Sequence, residues 1–242
     1  MRIRVGLAAI IGCAALCLAL PALGQVYNMQ LTAVEGVVYP GSDAYAGLYY
    51  GTASVSGGQT TATTAMICDD YNTEIPLPDS WTATALTAPE IAANLSSTKF
   101  GANFGSQSAA LTAYAEIATL VELMFAPGET AAYHADISGA IWSIADQGTG
   151  PIPLDTESNA LIAWAKGYVG SNAASVLAAD TNLKLYTPTP LSSSQEFWFD
   201  PEGTSINIPE GGAGLLYLLL AGLTCFGAMY FSPKNQFGNR VA

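Results

Sequence analysis

The sequence predicts an α+β domain set between two apolar terminal segments, and three observations carry that expectation. The first third of residues 25–207 alternates with period two and is rich in β-branched and aromatic side chains. Between about residues 107 and 179 the apolar side chains recur at helical spacing instead. After Leu183 the chain returns to two short strand-like runs. N-terminal antiparallel strands, a central cluster of three to four helices and returning C-terminal strands make an α+β arrangement.

The first 24 residues are read separately. Arg2 and Arg4 supply two cations, residues 5–20 are almost wholly apolar, and Ala22 and Gly24 place small side chains before Gln25. That is the pattern of a secretory signal peptide over residues 1–24, with the mature chain starting at Gln25 outside the cytoplasm. Residues 25–200 then form the exported domain, which is long enough for one compact core.

Within that domain, residues 26–39 alternate as a first strand, Pro40-Gly41-Ser42-Asp43 turns, and residues 45–55 form a second strand before Gly57-Gly58. Residues 60–75 form a third. No charge occurs from Ala44 through Cys68, as suits strands buried in a sheet. Period-two alternation along the third strand places Cys68, Asp70, Asn72 and Glu74 on one face and Ile67, Asp69, Tyr71 and Ile75 on the other. Pro76 and Pro78 end it, and Trp81 opens another extended Thr/Ala segment.

The helical part begins near Gln107, where Ala110, Tyr114, Ile117, Val121 and Met124 form one stripe up to Pro127-Gly128. A second helix spans about 130–145 and buries Tyr133, Ile137, Ile141 and Ile144. A third follows Pro153, with Asp155 as N-cap, Glu157 in the first turn and Lys166-Gly167 at its end. Residues 172–179 form a short fourth helix, and residues 183–187 and 195–199 are strands. Residues 201–212 link this domain to a run of 19 uncharged residues, 213–231. At helical rise that run spans about 28 Å, close to a bilayer's hydrocarbon core. A transmembrane helix over 213–231 is therefore expected, with a short basic tail, 232–242, carrying Lys234 and Arg240 on the cytoplasmic side.

Charge and cysteine usage limit the function classes. Residues 25–210 keep three cations, Lys99, Lys166 and Lys184, against all 19 acids, a net charge of −16. Such a surface repels polyanions, so nucleic-acid binding is excluded. Cys13 and Cys17 fall in the leader and Cys225 in the apolar tail, leaving Cys68 alone in the domain without a disulfide partner. No Gly-x-Ser-x-Gly elbow, phosphate loop or His-rich metal motif is present, so neither an enzyme nor a bound cofactor is expected.

Three weaker candidates are carried forward. His134 stands four residues before Ser138 on one helical face, so if Ser138 faces Cys68 the thiol and imidazole could form a nucleophile pair, the alternative reading being a thiol-dependent enzyme. Asp70, Asn72 and Glu74 offer hard oxygen donors for calcium, without the spacing and glycine of a calcium loop. The Thr-rich stretches 60–64 and 82–87 lack a strand-to-strand Thr-x-Thr ladder and fit ordinary strand propensity.

Two resemblances bear on function. Ile208-Pro209-Glu210-Gly211-Gly212, followed at once by the apolar helix and the basic tail, resembles the PEP-CTERM sorting signal of Gram-negative exopolysaccharide-forming bacteria, with Gly211 where the second proline usually stands. That resemblance implies an exosortase-type membrane protease as partner, an anchored intermediate, and release to the cell surface or extracellular matrix, where an exopolysaccharide or another surface component is a possible partner. Cys68-Asp69-Asp70 on an early strand, with Ala140-Ile141-Trp142 on a later helix, is similar to the thioester domains of bacterial surface adhesins. In that family a glutamine two residues before the Ala-Ile-Trp alanine joins the cysteine in an internal thioester. Here that position is Ser138, which has no carboxamide, so the resemblance implies the scaffold without covalent adhesion. Together these readings predict an exported structural or binding protein of the cell surface.

Overall fold

The computed structural model describes residues 25–200 except 56, 57, 59 and 149–152. Eight strands and five α-helices follow in chain order among the described residues: β1 (Gln25–Val34), β2 (Val37–Val38), β3 (Tyr45–Ala46), β4 (Tyr49–Val55), β5 (Thr64–Cys68), β6 (Asp79–Thr87), α1 (Ala88–Asn94), α2 (Gln107–Met124), α3 (Ala131–Ala145), α4 (Thr156–Val169), α5 (Ala173–Ala179), β7 (Lys184–Pro188) and β8 (Phe197–Phe199). The α+β class holds. Six of the strands close into an antiparallel barrel in the order β1-β4-β5-β8-β7-β6, and β2 and β3 pair separately as a small arm.

Alternation explains the barrel. Along β5 and β8, Met66, Cys68, Phe197 and Phe199 belong to the barrel's interior cluster, while Ile67 and Trp198 join the helical core on the other side. Leu86 and Leu185 do the same on β6 and β7. One set of strands therefore carries apolar side chains on both faces, because one face fills the barrel and the other meets the helices. Register mixes large and small inside: Met29 lies opposite Ala53 on β4 and Trp81 on β6. Closure also removes the open edges that would invite other strands to pair.

The helices have local causes. Ser106, Thr130 and Asp155 cap α2, α3 and α4 by accepting the backbone N–H groups of Ala109, Tyr133 and Ser158. α2 sits centrally, buried from Ala113 through Val121, and packs against α3, α4 and α5. α1 was not expected. Its start is nonetheless a capping box, in which Glu90 Oε2 accepts the Thr87 N–H at 2.9 Å and the Thr87 hydroxyl at 2.8 Å, with Pro89 in the first turn.

Two sequence expectations are corrected. The first strand breaks at Glu35-Gly36, where Gly36 takes φ +87°, and the chain leaves the barrel to form the arm. The third strand begins at Thr64 and stops at Cys68, so the stretch 69–75 does not alternate. Asp69 and Asp70 are both buried, on no common pleat, because the chain turns there around the Asp70 carboxylate: its Oδ1 accepts the N–H groups of Asn72 and Thr73 at 3.0 and 3.2 Å. None of the described helices is long and apolar enough to cross a membrane. The expected leader 1–24, the linker and sorting signature 201–212, the span 213–231 and the tail 232–242 lie outside the described residues.

Candidate functional site

The end of β5 is where chemistry concentrates. Cys68 closes the strand with its side chain in the barrel interior, 1 % exposed. Its thiol donates to the Asp70 carbonyl at 3.2 Å, and its sulfur accepts the Asp70 N–H at 3.3 Å. Burial pushes this thiol well up, and the neighbouring Asp70 and Asp69 carboxylates add to the rise. A cysteine in that setting is held as a neutral thiol at neutral pH, the opposite of an activated nucleophile.

Behind the strand end lies a buried polar seam between the barrel and the helices. Trp198 Nε1 on β8 donates to Asp69 Oδ2 at 2.8 Å. Glu196 is fully buried and collects three donors: Tyr114 OH at 2.7 Å on Oε1, and on Oε2 the Lys99 N–H at 2.9 Å and the Thr187 hydroxyl. The Lys99 ammonium pairs with Asp70 Oδ2 and also donates to Thr73 Oγ1 at 2.8 Å and the Ser194 carbonyl at 2.6 Å. All three of its protons are thereby used. Burial raises both Asp69 and Glu196, and the Glu196 charge raises Asp69 further. The seam thus joins β5, β7, β8, α2 and the segment after α1 through hydrogen bonds that no local sequence pattern specifies.

In front of the same strand end opens a cleft of about 630 Å³, bounded by the β2–β3 arm, the 69–77 turn and α3. Tyr49 and Trp142 form its buried wall, and Tyr45 and Tyr71 reach solvent beside it. The Tyr71 and Trp142 rings meet at 5.3 Å, and Trp142 Nε1 donates to the Cys68 carbonyl at 3.0 Å, which ties α3 to the strand end. Asp43 and Glu74 stand exposed on the rim, with no ion-pair partner among the described residues. Gln195 lines the interior: its Nε2 donates to the Asp70 carbonyl at 3.1 Å and to the Thr73 carbonyl, while its buried Oε1 receives no hydrogen bond.

The residues singled out from sequence are distributed as follows. Cys68 and His134 are not brought together: the thiol faces the barrel, and His134 Nδ1 lies 2.9 and 3.1 Å from the two oxygens of Glu35 at the base of the arm. Ser138 does not face Cys68 either. Its hydroxyl accepts the Gly47 N–H at 2.9 Å and donates to the His134 carbonyl at 3.0 Å. Gly47 sits at φ +84°, and a Cβ there would collide with the Glu35 carboxylate, so Glu35, Gly47, His134 and Ser138 form one clasp holding the arm to α3. One turn further along, Trp142 reaches the cysteine instead.

Of the calcium candidates, Asp70 already holds the Lys99 ammonium, Asn72 spends its amide on Asp146 Oδ1 at 2.8 Å, and Glu74 points to the cleft rim. No group of three acid, histidine or cysteine side chains among the described residues could hold a metal ion. Lys99, Glu196, Gln195 and Glu35 were not singled out beforehand. The one signal was Gln195-Glu196 heading the apolar Phe197-Trp198-Phe199 run, polar side chains where a strand was about to be buried. No family model, curated protein or solved structure matches the chain.

Proposed function

We propose that the chain is an exported protein of the cell surface or extracellular matrix, and that its domain is a binding module whose ligand enters the cleft beside the end of β5. On this reading residues 1–24 are the leader, 213–231 cross the membrane, and the Ile208–Gly212 signature directs an exosortase-type protease to release the domain. The cleft carries the reading: aromatic walls and hydrogen-bonding side chains converge in one concavity, beside a cysteine whose thiol faces away from it. A binding role also accords with the clasp and the seam, which fix both borders of the cleft and commit His134, Ser138 and Lys99 to structure.

The test is the intact mass of the protein recovered from membrane, envelope and matrix fractions of its host. A chain that begins at Gln25, ends near Glu210 and sits in envelope or matrix fractions is expected. A chain retained in the membrane through Ala242 rules out release, and an uncleaved chain in the cytoplasm rules out export altogether.

A further inference from the structure

The lining of the cleft also restricts what can enter it. Acceptors are in excess there. Asp43 and Glu74 present exposed carboxylates with no ion-pair or hydrogen-bond partner among the described residues. The nitrogen donors nearby are engaged, the Asn72 amide with Asp146, the Gln195 amide with two carbonyls and the Lys99 ammonium with its own oxygens, while the Tyr45 and Tyr71 hydroxyls can either give or take a hydrogen bond. An occupant that brings hydrogen-bond donors is therefore favoured, because the rim carboxylates can only accept.

Charge narrows the choice. An anion entering the cleft meets the rim carboxylates of Asp43 and Glu74. A cation is drawn to the rim, but deeper in it approaches the Lys99 ammonium, which neutralises Asp70 and leaves the interior without net negative charge. Shape supplies the last restriction. Tyr45 is 48 % exposed and Tyr71 half-buried beside it, giving an apolar surface next to the acceptors. A ring with hydroxyls around its edge and C–H groups on its face satisfies all of these at once.

We propose that this cleft binds an uncharged sugar residue, with Tyr45 and Tyr71 against the C–H face and Asp43 and Glu74 accepting its hydroxyls. The proposal rests on the binding-module reading above and gives it a ligand class.

Saturation-transfer NMR tests it on the full chain, held in a polyoxyethylene detergent so that no detergent sugar competes. The probes are glucose, galactose, mannose and N-acetylglucosamine, with glucosamine as the cationic analogue and glucuronate as the anionic one. At least one neutral sugar is expected to show transfer, strongest on its C–H face, with glucosamine and glucuronate weaker. Tyr45→Ala should lower affinity about tenfold, and Asp43→Asn and Glu74→Gln about fivefold each. All three residues are exposed, so these variants keep the fold. Transfer to glucosamine with the neutral sugars silent overturns the sugar assignment and leaves the binding module standing. Neutral-sugar binding that the three rim variants leave unchanged places the site elsewhere and also overturns it. Silence from every probe overturns the ligand class, and the binding module falls with it if an envelope extract of the host also fails to protect the cleft's backbone amides from hydrogen exchange.

Discussion

The barrel interior and the polar seam lie back to back across β5 and β8, and they are built on opposite principles. Inside the barrel, Met66, Cys68, Phe197 and Phe199 pack with Tyr49, Trp81 and Tyr186 and with small alanines opposite the large side chains. In the seam, one residue away along the same strands, Asp69, Asp70 and Glu196 are buried with Lys99. The interior is held by burial and shape, which many apolar side chains could supply. The seam is held by specific partners, and each group there is tolerable only while the others are present.

The largest effects should come from breaking either side, and pH should tell the two sides apart. Phe197→Ala empties part of the barrel and should cost about 3–5 kcal/mol. Lys99→Met strands the Asp70 carboxylate next to Asp69 and Glu196 and should cost about 3–5 kcal/mol as well. Urea unfolding at several pH values separates them: the Lys99→Met loss shrinks in acid, where a stranded carboxylate takes up a proton, and the Phe197→Ala loss does not. Equal pH dependence in the two variants would erase the distinction.

A smaller loss, about 1–3 kcal/mol, is expected for Trp198→Phe, which keeps the apolar ring against the helices and removes the donor to Asp69 Oδ2. Gly139→Ala should fall in the same range, about 1–3 kcal/mol, for a packing reason: a Cβ there would overlap the Tyr39 ring, which crosses α3 at that point. Asp155→Ala, remote from both regions, removes only the α4 cap and should cost about 1 kcal/mol.

The pH dependence of the wild-type domain follows from the raised carboxyls. Burial and the adjacent Asp180 raise Glu122 to about 8, and burial and Asp155 raise Asp136 to about 6. An acid raised on folding holds its proton more tightly in the native state. Its stabilising effect is therefore complete below its unfolded value, about 4.3 for glutamate and 3.9 for aspartate, and is lost as the pH climbs through the folded value. Melting temperature should fall as the pH rises from about 4 to about 8, and Glu122→Gln should flatten the upper part of that fall. A melting temperature that climbs across this window would contradict the assignment. Labelling of Cys68 by a thiol reagent in the folded protein should proceed only as fast as the domain opens, and rapid labelling below neutral pH would revive the nucleophile.

The sequence made the regular elements legible because each rests on a local cause. The stripe through Tyr114, Ile117 and Val121, the Asp155 cap and the Lys166-Gly167 end located α2 and α4, and strand alternation located most of the barrel. The capping box at Thr87 was equally local, but it was obscured by the Thr/Ala strand that runs into it. The candidate site was only half legible. Cys68-Asp69-Asp70 and Trp142 marked its place, whereas the contacts that assemble it span long separations: Thr73 with Lys99 over 26 positions, Glu35 with His134 over 99, and Asp69 with Trp198 over 129.

Sequence alone therefore determined the α+β class, the helices α2 to α5 and the strongly acidic character of the domain, because periodicity, caps and charge are properties of short windows or of totals. Tertiary structure alone decided that the strands close into a barrel, that Cys68 faces inward while His134 clasps the arm, and that a turn forms where a strand face was expected. The reason is physical: which side of a strand is buried, and which buried charge is neutralised, depends on what packs against it from elsewhere in the chain.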